Sequence, residues 1–205
     1  MRRHFLLPPL VSLILAAPTI ATSGVPNAIT SILDPCLVLC PAGDLQFHVV
    51  VRDINFTPVP NSFVVLDFSA CPTFAHCTVL PPTLILNEAA RTIGGVADAG
   101  GALTLVIPMG GICPGSGVRV IADGVVLGTR SLASPDRDAN LSVDAADQAG
   151  VQTLVGTTDP TADFNCDGAV NAADVAIVGQ HLGHACAGPT PSRSRSWGQI
   201  KLIYR

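Results

Sequence analysis

A twelve-residue pattern occurs twice, 27 positions apart, near the end of this 205-residue chain. "DRDANLSVDAAD" runs from Asp136 to Asp147, and "DFNCDGAVNAAD" from Asp163 to Asp174. Oxygen-bearing side chains recur at alternate positions in each copy. A short loop needs that spacing to wrap six to eight oxygens around a hard cation such as Ca2+. In the second copy Asp163, Asn165 and Asp167 supply the alternation, and Gly168 permits the sharp turn. Ala169 offers its backbone carbonyl, Asn171 ligates directly or through water, and Asp174 closes the loop. The first copy sets out Asp136, Asp138, Asn140, the carbonyl of Ser142, Asp144 and Asp147 in the same way. Aspartate stands where a calcium loop usually carries a bidentate glutamate. Two Ca2+ ions, one per loop, are expected.

The repeat extends past the loops. Ser134 matches Thr161, Val143 matches Val170, and Ala145-Ala146 matches Ala172-Ala173. Ala149, Val151, Val155 and Gly156 match Ala176, Val178, Leu182 and Gly183. A solvated linker has no reason to repeat its apolar positions. Each unit therefore reads as a loop followed by a short helix. Ala149, Val151, Leu154 and Val155 should point inward in the first, as should Val175, Val178 and Leu182 in the second. Leu141 occupies the position of Gly168, where a side chain on left-handed backbone costs about 1 kcal/mol or more.

Paired calcium loops closed by Asp, each followed by a single helix, resemble a dockerin of the cellulosome type I class. The likeness covers residues 134–183. Ala145-Ala146 and Ala172-Ala173 stand where that family usually carries Ser or Thr pairs. The resemblance implies that the two loops hold two Ca2+ ions and that the unit docks into a cohesin on a scaffold or cell-surface protein. It also implies an alternative, in which the chain belongs to an extracellular polysaccharide-degrading assembly and binds or hydrolyses glycan.

The first half has the period of short strands. "LQFHVVV" places Leu45, Phe47, Val49 and Val51 on one face. "SFVVLDF", "ALTLVIP" and "GVRVIA" follow, and Asp123-Gly124 is a tight-hairpin pair leading into "VVLGTRSL". "VVVRDINFTPVPNSFVVLDFS" is similar to the opening strands of bacterial immunoglobulin-like and carboxypeptidase-regulatory-like repeats. The fold class expected is α+β: an antiparallel immunoglobulin-like β-sandwich over residues 45–132, then a small all-α dockerin-like module over 134–186. Residues 24–44 read as a linker or first strand, and 187–205 as a basic tail.

Arg2, Arg3 and His4 precede a short apolar run, "FLLPPLVSLILAA", and small residues follow it. A membrane span needs about 20 apolar residues, so residues 1–23 read as a secretory signal peptide. No membrane span is expected after its cleavage. Seven cysteines in an exported chain tend to pair. Cys166 and Cys186 are the expected pair of the C-terminal half. They close a loop of about 20 residues that adds about 3 kcal/mol. "CPTFAHC", Cys71 to Cys77, reads as disulfide cysteines rather than as a zinc site with His76. The net charge of −4 and 13% charged residues argue against nucleic-acid binding. The histidines are His4, His48, His76, His181 and His184, and no sequence motif builds a catalytic site around them. A secreted, non-catalytic interaction protein is the expected function. Its expected partner is a cohesin-like or other exported or cell-surface protein, with a polysaccharide as the second partner considered.

Overall fold

The computed structural model describes residues 24–187. The expected signal peptide, and residues 188–205 of the expected tail, lie outside the described residues. Ten strands and two helices follow in order. They are β1 (Ile32–Leu33), β2 (Leu37–Val38), β3 (Phe47–Val50), β4 (Phe63–Asp67), β5 (Thr73–His76) and β6 (Ile85–Asn87). Then come β7 (Thr92–Val96), β8 (Ala102–Leu105), β9 (Met109–Ala122), β10 (Val125–Ala133), α1 (Ala145–Gln152) and α2 (Ala172–His181).

One small sheet has the order β1-β3-β8, and a larger curled sheet runs β2-β10-β9-β4-β7-β6, with β5 paired to β9. Period-two alternation decides which face of each strand is wet. Phe47 and Val49 point into the core from β3, as do Val64 and Leu66 from β4 and Val118 and Val120 from β9. These residues form one apolar cluster between the two sheets. Asp123 and Gly124 both take positive φ, and Val125 pairs with Ala122 across them, as a tight hairpin requires. Asp67 of β4 lies opposite Arg119 of β9. Burial opposes its ionisation, but hydrogen bonds from Ser69 and the Arg119 guanidinium outweigh that and hold its carboxyl below the usual range.

Two expectations of fold are corrected. The β region is not an antiparallel immunoglobulin-like sandwich. Residues 24–44 supply β1 and β2, and β2 joins the curled sheet in parallel with β10, pairing Leu37 with Leu132. Nor does an independent all-α module follow. The described residues are mostly β, with only two short helices among them, of 8 and 10 residues. A dockerin would be helix-rich, and that resemblance is overturned at the level of the fold. Helices this short cannot bury enough apolar surface on each other to be stable. They share a second core with the β region instead. Val151, Phe164, Val170 and Val178 pack with Cys40 and Ala133, flanked by Val38 and Leu45.

The disulfides follow the same logic. Cys71 pairs with Cys113 within the β region, Cys36 with Cys166, and Cys77 with Cys186. The expected Cys166–Cys186 pair is therefore wrong. Each of those cysteines faces the β region rather than the other, so each ties the loop–helix segment back to a residue before position 80. Cys71 and Cys77 are both oxidised but not to one another. Three disulfides fit a protein that matures in an oxidising compartment. Among the described residues no helix is long and apolar enough to cross a membrane.

Candidate metal centre

Each repeat begins with an aspartate whose carboxylate holds the turn of its loop. Asp136 accepts hydrogen bonds from the backbone N–H of Asn140 (3.2 Å) and Leu141 (2.8 Å). Asp163 accepts from Asp167 (3.1 Å) and Gly168 (2.8 Å). The last carboxylate of each loop closes the ring. Asp147 accepts from Arg137 (2.8 Å) and Asp144 (2.9 Å). Asp174 accepts from Phe164 (2.8 Å) and Asn171 (2.9 Å). The middle residues bond one to the next: Ser142 N–H to Asn140 Oδ1 (2.8 Å) in the first loop, and Ala169 N–H to Asp167 Oδ1 (3.0 Å) in the second. Asn171 Nδ2 donates to Asp167 and, at 3.3 Å, to the carbonyl of Ala169.

The same residues start the helices. Asp144 caps α1 and Asn171 caps α2, each accepting the N–H two residues on (both 2.7 Å). Asp147 and Asp174 complete reciprocal capping boxes. Loop and helix are thus one unit, and a cation on the loop acts directly on the first helical turn.

All twelve expected ligand positions fall in these two loops. Asp136, Asp147, Asp163 and Asp174 are buried, while Asp138, Asn140, Asp144, Asn165, Asp167 and Ala169 are exposed, with Ser142 and Asn171 between. The carboxylates of Asp136, Asp138 and Asp147 converge within 4.8 Å of one another. Crowding there is electrostatically costly. Burial, followed by the charges of Asp147 and Asp138, pushes the Asp136 carboxyl up to about 6. Asp167, on the exposed rim, is held below the usual range by hydrogen bonds from Asn165, Ala169 and Asn171. A divalent ion in the first loop would relieve the repulsion among the three converging carboxylates.

The left-handed turn falls where the repeat places it, with Leu141 at φ +67° and Gly168 at φ +88°. The preceding positive-φ residues, Ala139 and Cys166, also match across the repeat. A Cβ added at Gly168 meets nothing within 4 Å, so Gly168→Ala isolates backbone strain. We expect it to cost about 1 kcal/mol, read by urea unfolding in calcium.

One feature was not read from the sequence. Val143 N–H donates to the His184 carbonyl (2.7 Å), and Gly183 N–H donates to Val143 (2.8 Å). In the other half Val170 N–H donates to Thr157 and Gly156 N–H to Val170, both at 2.9 Å. Each loop is thus clamped by the chain that leaves the other helix, and the repeat becomes a two-fold exchange. The signal was present in the matches Val143/Val170 and Gly156/Gly183. Arg137 adds a one-sided tie, donating to the Thr161 carbonyl (2.7 Å) at the entrance to the second loop. Of the residues expected to face inward, Val151 and Val178 are fully buried, and Leu154 and Val175 pack beside them. Val155 and Leu182 are exposed because α1 ends at Gln152 and α2 at His181, and Ala149, within α1, lies on its exposed face.

No protein-family model matches the chain, and no curated protein matches it.

Proposed function

We propose that the loops Asp136–Asp147 and Asp163–Asp174 each bind one Ca2+, and that the chain is an exported, non-catalytic protein that uses this rigid unit to engage another exported or cell-surface protein. The observation that supports calcium most is the repetition of one hydrogen-bond scheme. In both loops the first and last carboxylates accept the same backbone N–H groups, at nearly equal distances. Oxygen donors predominate, as a hard cation prefers. Export is supported by the leader-like residues 1–23 and by the three disulfides. The ion acts as a folding cofactor rather than a switch. Outside cells calcium is abundant, and the helices are capped by the same residues that would ligate it.

Asp174→Ala tests the assignment. It removes a ligand and the N3 member of the α2 capping box together. We expect calcium stoichiometry, followed by calorimetric titration of the full chain, to fall from two ions to one. An unchanged titration would remove the second loop from the proposal. For the partner, the experiment is calcium-dependent capture by the immobilised full chain. Exported proteins of the source organism form one arm, a purified cohesin a second and a glycan array a third. Capture that is indifferent to chelator would count against the loops as the binding element. Binding to glycan alone would favour the polysaccharide-degrading assembly. A ligand there has a candidate cleft of about 350 Å3 beside Phe74, His76, Glu88 and Arg91.

A further inference from the structure

Beside the first loop but apart from its ligand positions, Cys40, Asp44, His181 and His184 bring four donor atoms to one point. Cys40 Sγ lies 3.9 Å from His181 Nδ1 and 3.8 Å from His184 Nδ1. The two Nδ1 atoms are 3.1 Å apart, and each is 3.0 Å from Asp44 Oδ2. All four donor atoms fall within 4.8 Å of one another. A tetrahedral zinc ion has bonds of about 2.0–2.1 Å to nitrogen or oxygen and about 2.3 Å to sulfur. The edges of that tetrahedron are then about 3.3 Å between nitrogen and oxygen and about 3.6 Å between sulfur and nitrogen. The nitrogen–nitrogen and nitrogen–oxygen separations of 3.0–3.1 Å are slightly shorter than that edge, and the sulfur–nitrogen separations of 3.8–3.9 Å slightly longer than theirs.

Hydrogen bonding alone explains the arrangement poorly. The triangle of two ring nitrogens and one carboxylate oxygen has three edges of 3.0–3.1 Å. A neutral imidazole carries a single ring N–H, and with two protonated Nδ1 atoms the N–H groups would face each other. A cation at the centre satisfies all the lone pairs at once. The thiol is a second, independent observation. Six cysteines form three disulfides, and Cys40 alone remains free, fully buried in a chain otherwise oxidised. That buried thiol has no disulfide partner and sits against two imidazoles.

The backbone prepares both pairs of donors. Cys40 and Asp44 straddle a tight turn in which Gly43, at φ +68°, returns its N–H to the Cys40 carbonyl (2.9 Å). His181 is the last residue of α2, and the His184 N–H donates back to the His181 carbonyl (2.9 Å). One pair comes from the chain between β2 and β3, the other from the end of α2.

We propose that Cys40, Asp44, His181 and His184 form a structural site for a borderline-soft transition metal, zinc foremost, that pins the end of α2 to the β region. Four protein donors close the coordination sphere, the mark of a structural rather than a catalytic site. Mixed sulfur, nitrogen and oxygen donors suit Zn2+ over Ca2+, so this site and the loops select different ions. It is independent of the calcium reading.

The test uses the full chain, stripped with chelator, returned to saturating Ca2+ and titrated with Co2+ and then Zn2+. One equivalent of Co2+ should give tetrahedral d–d absorption and a sulfur-to-cobalt charge-transfer band, and Zn2+ should bleach both. Cys40→Ser should abolish the charge-transfer band. His184→Ala changes a partly exposed residue and guards against a Cys40 variant that fails to fold. It should weaken zinc binding at least about a hundredfold, since losing even an outer-shell partner costs 10–100-fold. The proposal is overturned if the folded chain takes up no Co2+ or Zn2+ in the presence of Ca2+. It is also overturned if the cobalt spectrum lacks the sulfur band, or if His184→Ala binds zinc as tightly as the parent.

Discussion

Replacing Cys36 by serine is expected to destabilise the oxidised chain by about 4–5 kcal/mol, and replacing Cys77 by about the same. The bonds to Cys166 and Cys186 span 130 and 109 residues. Closing loops that long removes the most conformational freedom from the unfolded chain, about 4.7 kcal/mol for a loop of 100 residues. A local Cys166–Cys186 bond would contribute about 3 kcal/mol for its loop of about 20 residues. A domain of this size has a total stability of about 5–15 kcal/mol. The double variant should therefore sit near its unfolding midpoint in the absence of denaturant. Urea unfolding of the single and double variants measures this. Non-reducing peptide mapping should return Cys36 joined to Cys166, and a Cys166–Cys186 peptide would contradict the arrangement.

Chelation should have an effect about as large as losing both long-range disulfides. At free calcium about a thousandfold above Kd, each site contributes about 4 kcal/mol, so both together contribute about 8 kcal/mol. The loss should appear first in the loop–helix segment. Without the ion, the carboxylates of Asp136, Asp138 and Asp147 repel within 4.8 Å, and the capping boxes of Asp144 with Asp147 and Asn171 with Asp174 alone hold the first helical turns. Hydrogen exchange should accelerate across α1 and α2 while β4 and the far end of β9 around Val118 and Val120, which pack in the other apolar core, stay protected. Uniform loss of protection would mean that the shared core of Cys40, Ala133, Val151 and Val178 couples the two regions more tightly than the ion does.

The loops were legible because a side-chain pattern at fixed spacing is local, and its duplication tests itself. Gly168 and Leu141 could be placed on left-handed backbone before any coordinates were known. Strands β3, β4, β9 and β10 were legible by alternation, and the hairpin by Asp123-Gly124. What failed was long-range. Leu37 and Val38 are two apolar residues between turns, and nothing local says that they lie parallel to β10. Likewise Cys166 and Cys186 are neighbours in sequence, yet their partners are more than a hundred residues away, and spacing alone does not decide connectivity. The resemblance to a dockerin rested on the local loop pattern. It missed that helices of 8 and 10 residues, carrying one fully buried valine each, need the β region to complete their core. His181 and His184 stand three positions apart, at and just past the end of α2, a ligand-like spacing. Their counterparts Cys40 and Asp44 lie more than 130 residues earlier.

Equilibrium dialysis of the full chain against dilute calcium, with bound metal counted by elemental analysis, addresses the loops most directly. Two calcium ions should be retained per chain, and both should be released to a calcium-selective chelator with loss of helical signal. A chain that retains no calcium while α1 and α2 stay fully folded would contradict the assignment of Asp136–Asp147 and Asp163–Asp174 as ion-binding loops.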